Sequence, residues 1–227
     1  MRLLAVETAT EACSAAIWQD GGLLERFELA PRRHTELILP MIDSLMAEAE
    51  LSLQAMDALA FGHGPGSFTG VRIATGVIQG LALSIDRPVI GISTLASLAQ
   101  TQADNHSCVC AVIDARMQEV YWGCYQRDDS GLMQLQAQEY ICTPAAVPVP
   151  SAGEWLVAGS GWASYSETLG ARLGDRVMAS LADAWPRAAA TARLAAGSYP
   201  TGDMQAASQA RPVYLRDRVT QAPNQNS

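Results

Sequence analysis

The spacing of apolar positions along the first hundred residues changes several times, and each change predicts an element. Two short apolar runs, LLAVET (3–8) and ACSAAIW (12–18), read as strands, with Asp20-Gly21-Gly22 as a hairpin turn into a third, LLERFEL (23–29). From about His34 to Glu50 the apolar residues recur at helical spacing. A strand follows around Ala58–Phe61, and the glycine-rich GHGPGSFTG (62–70) opens a second helix reaching about Ile85. Pro88–Ile92 is another strand and Ser93 starts a third helix, so the order βββαβαβα is complete by about residue 101.

TQADNHS (101–107) is polar and reads as a linker, after which the pattern restarts. CVCAVIDA (108–115) and EVYWGCYQ (119–126) are strands, Asp128–Gly131 is a turn into a third, and WLVAG (155–159) is a later strand. Helices are expected near 162–172 and 183–196. The Pro-rich TPAAVPVP (143–150) cannot continue a central strand, and the polar tail QAPNQNS is expected to be frayed and disordered. The two halves overlay at an offset of about 107 residues: Val6-Glu7 falls near Ile113-Asp114, and Ile17-Trp18-Gln19 on Cys124-Tyr125-Gln126. Each half opens with a strand ending in an acid, followed by an antiparallel meander. The predicted class is α/β: two related domains of actin/hexokinase-like (ASKHA) architecture, residues 1–104 and 105–227, each a mixed sheet flanked by helices.

The first two helices carry more apolar surface than one core contact uses. Along 34–50, Leu37, Ile38, Leu39, Met41, Ile42, Leu45, Met46 and Ala49 fill roughly 200° of arc, against about 100° for a single buried face. On the second helix Arg72, Gln79 and Asp86 form the only strongly polar stripe, and Gly76-x-x-x-Gly80 lets another helix approach closely. Two well-buried core helices are one reading; helices that also pack across a subunit boundary are the other.

Composition narrows the chemistry. All 15 basic residues are arginine. Without lysine the chain has no P-loop lysine, no Schiff-base amine and no kinase-type phosphate lysine. A net charge of −8 argues against an autonomous nucleic-acid binder. MRLLAVETAT turns polar too early for a signal peptide, no apolar run reaches membrane-spanning length, and a cytoplasmic location without membrane contact is expected. The odd count of five cysteines fits reduced thiols, with Cys108 and Cys110 on one strand face.

The candidate motifs are few. Gly64, Gly66 and Ser67 could form an anion loop, Ser67 being the natural N-cap of the second helix; a tight turn that binds nothing is the alternative. Glu7 could orient metal or water near a phosphate, but no glycines follow it. Gly159-Ser160-Gly161 reads by default as a strand-to-helix turn. His34, His63 and His106 form no i,i+4 pair, so a metal hydrolase site is unsupported, and they are expected at the surface or in turns. No G-x-S-x-G elbow positions a nucleophile, which leaves a protease without its machinery.

LLAVETATEACSAAIW, AFGHGPGSFTGVRIATGVIQGLA (60–82), PVIGISTLASLA (88–99), IDARMQEVYWGCY (113–125) and RPVYLRD (211–217) closely resemble the bacterial TsaB (YeaZ) family. The resemblance covers most of the chain and is weakest over about 127–205. It implies a non-catalytic subunit required for the threonylcarbamoyl modification of the tRNA adenosine beside the anticodon. Such a subunit binds the related catalytic subunit TsaD through N-terminal-domain helices, with the ATPase TsaE in the larger assembly. It can homodimerise through the same surface, and it meets tRNA only within the complex. The metal-binding H-x-x-x-H pair of TsaD falls on Thr94 and Leu98, so the resemblance implies no catalytic residue, metal or cofactor here. The implied interface is Leu37, Met41 and Leu45 on the first helix with Thr69, Ile73, Gly76 and Gly80 on the second. A small ASKHA-type ATPase or phosphotransferase is the rival reading. Arg211, Arg216 and Arg218 either touch tRNA or pair with acids.

Overall fold

The structure, a computed structural model, describes residues 1–199 and 204–216. Its first half runs β1 (Arg2–Glu7), β2 (Ala12–Gln19), β3 (Gly22–Leu29), α1 (His34–Glu48), β4 (Ala58–Gly64), α2 (Phe68–Ile85), β5 (Val89–Ser93) and α3 (Thr94–Gln100). The second runs β6 (Cys108–Arg116), β7 (Glu119–Arg127), β8 (Met133–Leu135), β9 (Tyr140–Cys142), β10 (Trp155–Ala158), α4 (Ser160–Leu173), β11 (Val177–Leu181) and α5 (Ala188–Ser198). The first sheet has the order β3-β2-β1-β4-β5 and the second β8-β7-β6-β10-β11, with β9 also paired to β7. In both, an antiparallel meander sits beside strands parallel to the first. The internal repeat read from the chain is thus a repeat of sheet topology. Strands β9 and β11 escape the sequence reading because both are short and lie where burial is partial, so the apolar period is weak.

Local chemistry explains the joints. Asp20 and Gly21 both take positive φ, at 50° and 92°, which matches the twist of the two-residue β2–β3 hairpin. Ser67 caps α2 by accepting the Gly70 N–H at 3.0 Å, and Ser93 caps α3 by accepting from Leu95 and Ala96. At Gly159, φ is 122° and a Cβ would lie 2.2 Å from the Val112 carbonyl oxygen, so only glycine lets α4 start against β6.

The centre of β1, Leu3–Val6, is continuously apolar because both its faces are covered. Leu4 and Val6 face α1 and α2, whereas Leu3 and Ala5 face α5. The α5 side is lined by Ala16, Ala58 and Ala60 against Ala188, Ala192 and Ala195, so helix and sheet approach closely. Helices are therefore exchanged between halves. α5, from the second half of the chain, covers the first sheet, while Leu95, Leu98 and Ala99 of α3 pack on Val109, Ala111 and Ile113 of the second. The exchange is held at its crossing, where the Ser97 and Thr191 hydroxyls lie 2.9 Å apart. Glu25 on β3 accepts the Ala189 N–H and the Arg187 guanidinium at the start of α5.

Phe68–Ile85 is long and apolar enough to cross a membrane by length and composition, although Arg72 and Gln79 interrupt its apolar run. Val71, Ala74, Ile78 and Ala82 nonetheless pack it onto the first sheet, although only a third of the window is buried.

Candidate partner interface

The apolar excess of α1 and α2 sorts into an inner and an outer face. Ile38, Ile42 and Leu45 of α1 and Val71, Ala74, Ile78 and Ala82 of α2 point into the core with Leu4, Val6, Ile17, Leu59 and Phe61. Leu45 is fully buried. That removes it from the expected interface, since its position on α1 faces the sheet. Leu37 and Met41 are half-buried on the flank of α1. On α2, Thr69, Gly76 and Gly80 are exposed and Ile73 is half-buried. These four positions lie at i, i+4, i+7 and i+11, the spacing of a helix–helix seam. Leu83, at i+14, continues the stripe and is 58% exposed; the expected interface set omits it, together with exposed Leu39 and Phe68.

The two helical glycines separate two kinds of glycine in this chain. A Cβ at Gly62 would sit 1.9 Å from Glu7 Oε2, and one at Gly70 would sit 2.1 Å from the Thr8 carbonyl oxygen, so the fold itself excludes a side chain there. At Gly76 and Gly80 a Cβ would meet nothing within 4 Å. A helix-interior glycine costs about 1 kcal/mol relative to alanine. Nothing within the described chain uses that cost.

The glycine-rich loop is occupied by the chain. A Cβ at Gly66 would be 2.4 Å from the Ala9 carbonyl oxygen, and one at Gly64 would be 2.6 Å from that of Val213. The Ser67 N–H donates to the Ala9 carbonyl at 2.7 Å, and the Ser67 hydroxyl is engaged by Gly70. Of the candidate anion loop, the Ser67 groups and the space above Gly64 and Gly66 are thus committed to tertiary packing, as a tight turn requires. Glu7 sits beneath this turn, fully buried, accepting the Ala9 N–H at 2.8 Å and the Thr94 hydroxyl at 3.4 Å. Burial raises its carboxyl to about 7 against these bonds, which lower it.

Between the two sheets a cleft of about 710 Å³ opens beside the stripe and shares Thr69 and Ile73 with it, with Phe68 also in its lining. Its far wall is the β6–β7 turn, where Arg116, Met117 and Gln118 all have φ between 53° and 62°. Three successive non-glycine residues in this region carry strain of roughly 1–2 kcal/mol each. Arg116 ties the turn to the first half through Glu11 at 3.0 Å and also pairs with Asp114 at 3.1 Å. On the rim the Arg72 guanidinium lies 3.1 Å from the Phe68 ring centroid and 5.3 Å from that of Tyr214. Tyr214 thereby brings the C-terminal segment to the start of α2.

The remaining expected residues fall in varied places. His63 lies within β4 and His34 at the start of α1, where it is buried, so neither is the surface or turn residue expected; His106 lies partly exposed in the connection between α3 and β6. Burial lowers His63 to about 4, leaving it neutral at physiological pH. Leu98 is fully buried in the second sheet's core, and the hydroxyl of Thr94 points to Glu7. Ser160 of the Gly159–Gly161 turn accepts the Asp114 N–H at 3.1 Å, a structural role. Arg216 pairs with Glu119, and Arg211 is exposed. Arg218 and the polar tail lie outside the described residues.

Comparison with known proteins gives a consistent set of relatives. The sequence model of the TsaD family, tRNA N6-adenosine threonylcarbamoyltransferase, matches residues 19–223. The TsaB protein of Escherichia coli, named for tRNA threonylcarbamoyladenosine biosynthesis, is 43% identical over 96% of both chains. Its Haemophilus influenzae counterpart is 40% identical over 97% of this chain and 95% of its own. The solved structure of YeaZ from Pseudomonas aeruginosa superposes with a TM-score of 0.88 at 46% identity, over 94% of this chain and 99% of that one.

Proposed function

The chain belongs to the TsaB family of tRNA threonylcarbamoyladenosine biosynthesis proteins, and on that premise we propose that it is a cytoplasmic, non-catalytic subunit that docks on a TsaD-type transferase through α1 and α2. Gly76 and Gly80 carry this reading. They are exposed, they weaken their helix, and no atom of the described chain occupies the space they leave. A close-packed partner helix supplies the missing reason. The seam extends through Thr69, Ile73 and Leu83, flanked by Leu37 and Met41 of α1. The same seam admits a second copy of the chain when the transferase is absent. TsaE and tRNA join through the assembled complex.

The non-catalytic part of the reading rests on side-chain chemistry. Where the resemblance places the transferase's two histidines, Thr94 spends its hydroxyl on Glu7 and Leu98 has no lone pair to offer. Co-expression of the Gly76→Leu variant with the TsaD-type subunit tests the proposal. The variant is expected to keep its circular dichroism spectrum and lose co-purification. Undiminished co-purification removes α2 from the interface.

A further inference from the structure

Outside the interface and the cleft, the second sheet brings two thiols into contact. Cys110 of β6 and Cys124 of β7 are direct cross-strand partners in an antiparallel ladder, and their Sγ atoms lie 3.2 Å apart. Directly opposed residues in such a ladder have Cα atoms about 4.5 or 5.5 Å apart. Both spacings lie inside the range of about 4.4–6.8 Å that a disulfide spans. Closing the sulfurs from 3.2 Å to a bond of about 2.05 Å brings them together by roughly 1 Å. The other thiols are placed differently. Cys108 is two residues along β6 opposite Gln126, Cys142 is on β9 opposite Val120, and Cys13 is in the first sheet.

We propose that Cys110 and Cys124 form an oxidation site, in which a hydroperoxide converts the thiol pair into a cross-strand disulfide. The two sulfurs have unequal roles. Cys124 is partly exposed and can meet the oxidant, whereas Cys110 is fully buried. Burial, together with the Cys124 sulfur beside it, pushes the Cys110 thiol well up, so it waits as a protonated resolving partner. In the first step Cys124 gives up its proton and its sulfur attacks one peroxide oxygen. The O–O bond breaks, Cys124 becomes a sulfenic acid, and the other oxygen takes up that proton and leaves as water or alcohol. In the second, Cys110 gives up its proton and its sulfur attacks the Cys124 sulfur, expelling hydroxide, which takes that proton and leaves as water. Two thiols lose two electrons in all, and one peroxide bond is reduced.

The test uses the full-length chain, reduced, freed of reductant and exposed to hydrogen peroxide. Free thiols are counted and alkylated peptides are mapped by mass. The expected result is loss of two of the five thiols, a peptide cross-link joining residues 110 and 124, and recovery of both thiols with dithiothreitol. Cys124→Ser is expected to abolish the cross-link, and Cys110→Ser to leave a sulfenic acid at residue 124 that dimedone traps. Should the buried Cys110→Ser substitution unfold the chain, mapping of the unsubstituted protein decides by itself. Over-oxidation of Cys124 to sulfinic acid with Cys110 still free overturns the proposal, as does a cross-link through Cys108 or Cys142 in its place, or survival of all five thiols.

Discussion

Replacing both Gly76 and Gly80 with alanine sets the needs of the fold against those of the interface. Both glycines are in the interior of an 18-residue helix, neither has positive φ, and a Cβ at either meets nothing within 4 Å. Alanine therefore brings only its helix propensity, about 0.8–1.0 kcal/mol per site, or roughly 2 kcal/mol for the pair. For a chain of this length each kcal/mol moves the unfolding midpoint by about 2–4 °C, so the double variant should melt roughly 4–8 °C higher. Thermal unfolding followed by far-ultraviolet circular dichroism, at a concentration where sedimentation shows a monomer, reads this directly. In parallel, titration against the TsaD-type subunit should show weakened binding, because two methyl groups would stand in the proposed helix–helix contact. A lower or unchanged melting point refutes the claim that these glycines serve nothing inside the chain. A higher melting point with undiminished partner affinity refutes their place in the interface.

Other consequences concern the buried acid, the strained turn and the exchanged helices. Burial raises Glu7 from 4.5 to about 7, so the folded chain holds a proton that the unfolded chain releases between those values. Its contribution is intact below pH 4.5 and is lost as pH rises to about 7, levelling off at a cost of roughly 3 kcal/mol. Glu7→Gln should flatten that part of the stability–pH profile, as measured by urea unfolding from pH 4.5 to 8; an unchanged slope refutes the assignment. Gln118→Gly should stabilise the chain by about 1 kcal/mol by relieving a left-handed residue, and a destabilised variant in the same urea assay contradicts the strain. A fragment ending at residue 104 lacks α5, so it exposes Leu3, Ala5, Ala58 and Ala60 and should aggregate; a soluble, cooperatively melting fragment contradicts the exchange. Glu25→Ala removes the acceptor at the start of α5 and should cost about 1–2 kcal/mol in chemical unfolding, with no loss disproving its capping role.

The candidate surface was half legible. Helical period and two glycines four apart mark α2 as the candidate contact helix, because 3.6-residue periodicity is a local property. The rotational phase of a helix is not. An apolar arc of roughly 200° does not say which half meets the sheet, and so Leu45 belongs to the core while Leu83 belongs to the outer stripe. The histidines show the same limit. Polar character suggests exposure, yet His63 lies in β4, where flanking layers desolvate whatever residue occupies it.

By itself the chain determined its element order, its hairpin, the caps at Ser67 and Ser93 and the repeated meander, all products of dihedral preference and hydrogen bonding over a few residues. The missing lysine, too, bounded its chemistry without any coordinates. Tertiary structure alone decided that α3 and α5 trade sheets, that Glu7 ends beneath the glycine turn, and that Cys110 meets Cys124. Those outcomes depend on which distant surfaces bury each other best. Residues 90 or more positions apart, such as Ser97 and Thr191, are neighbours only after both sheets have formed.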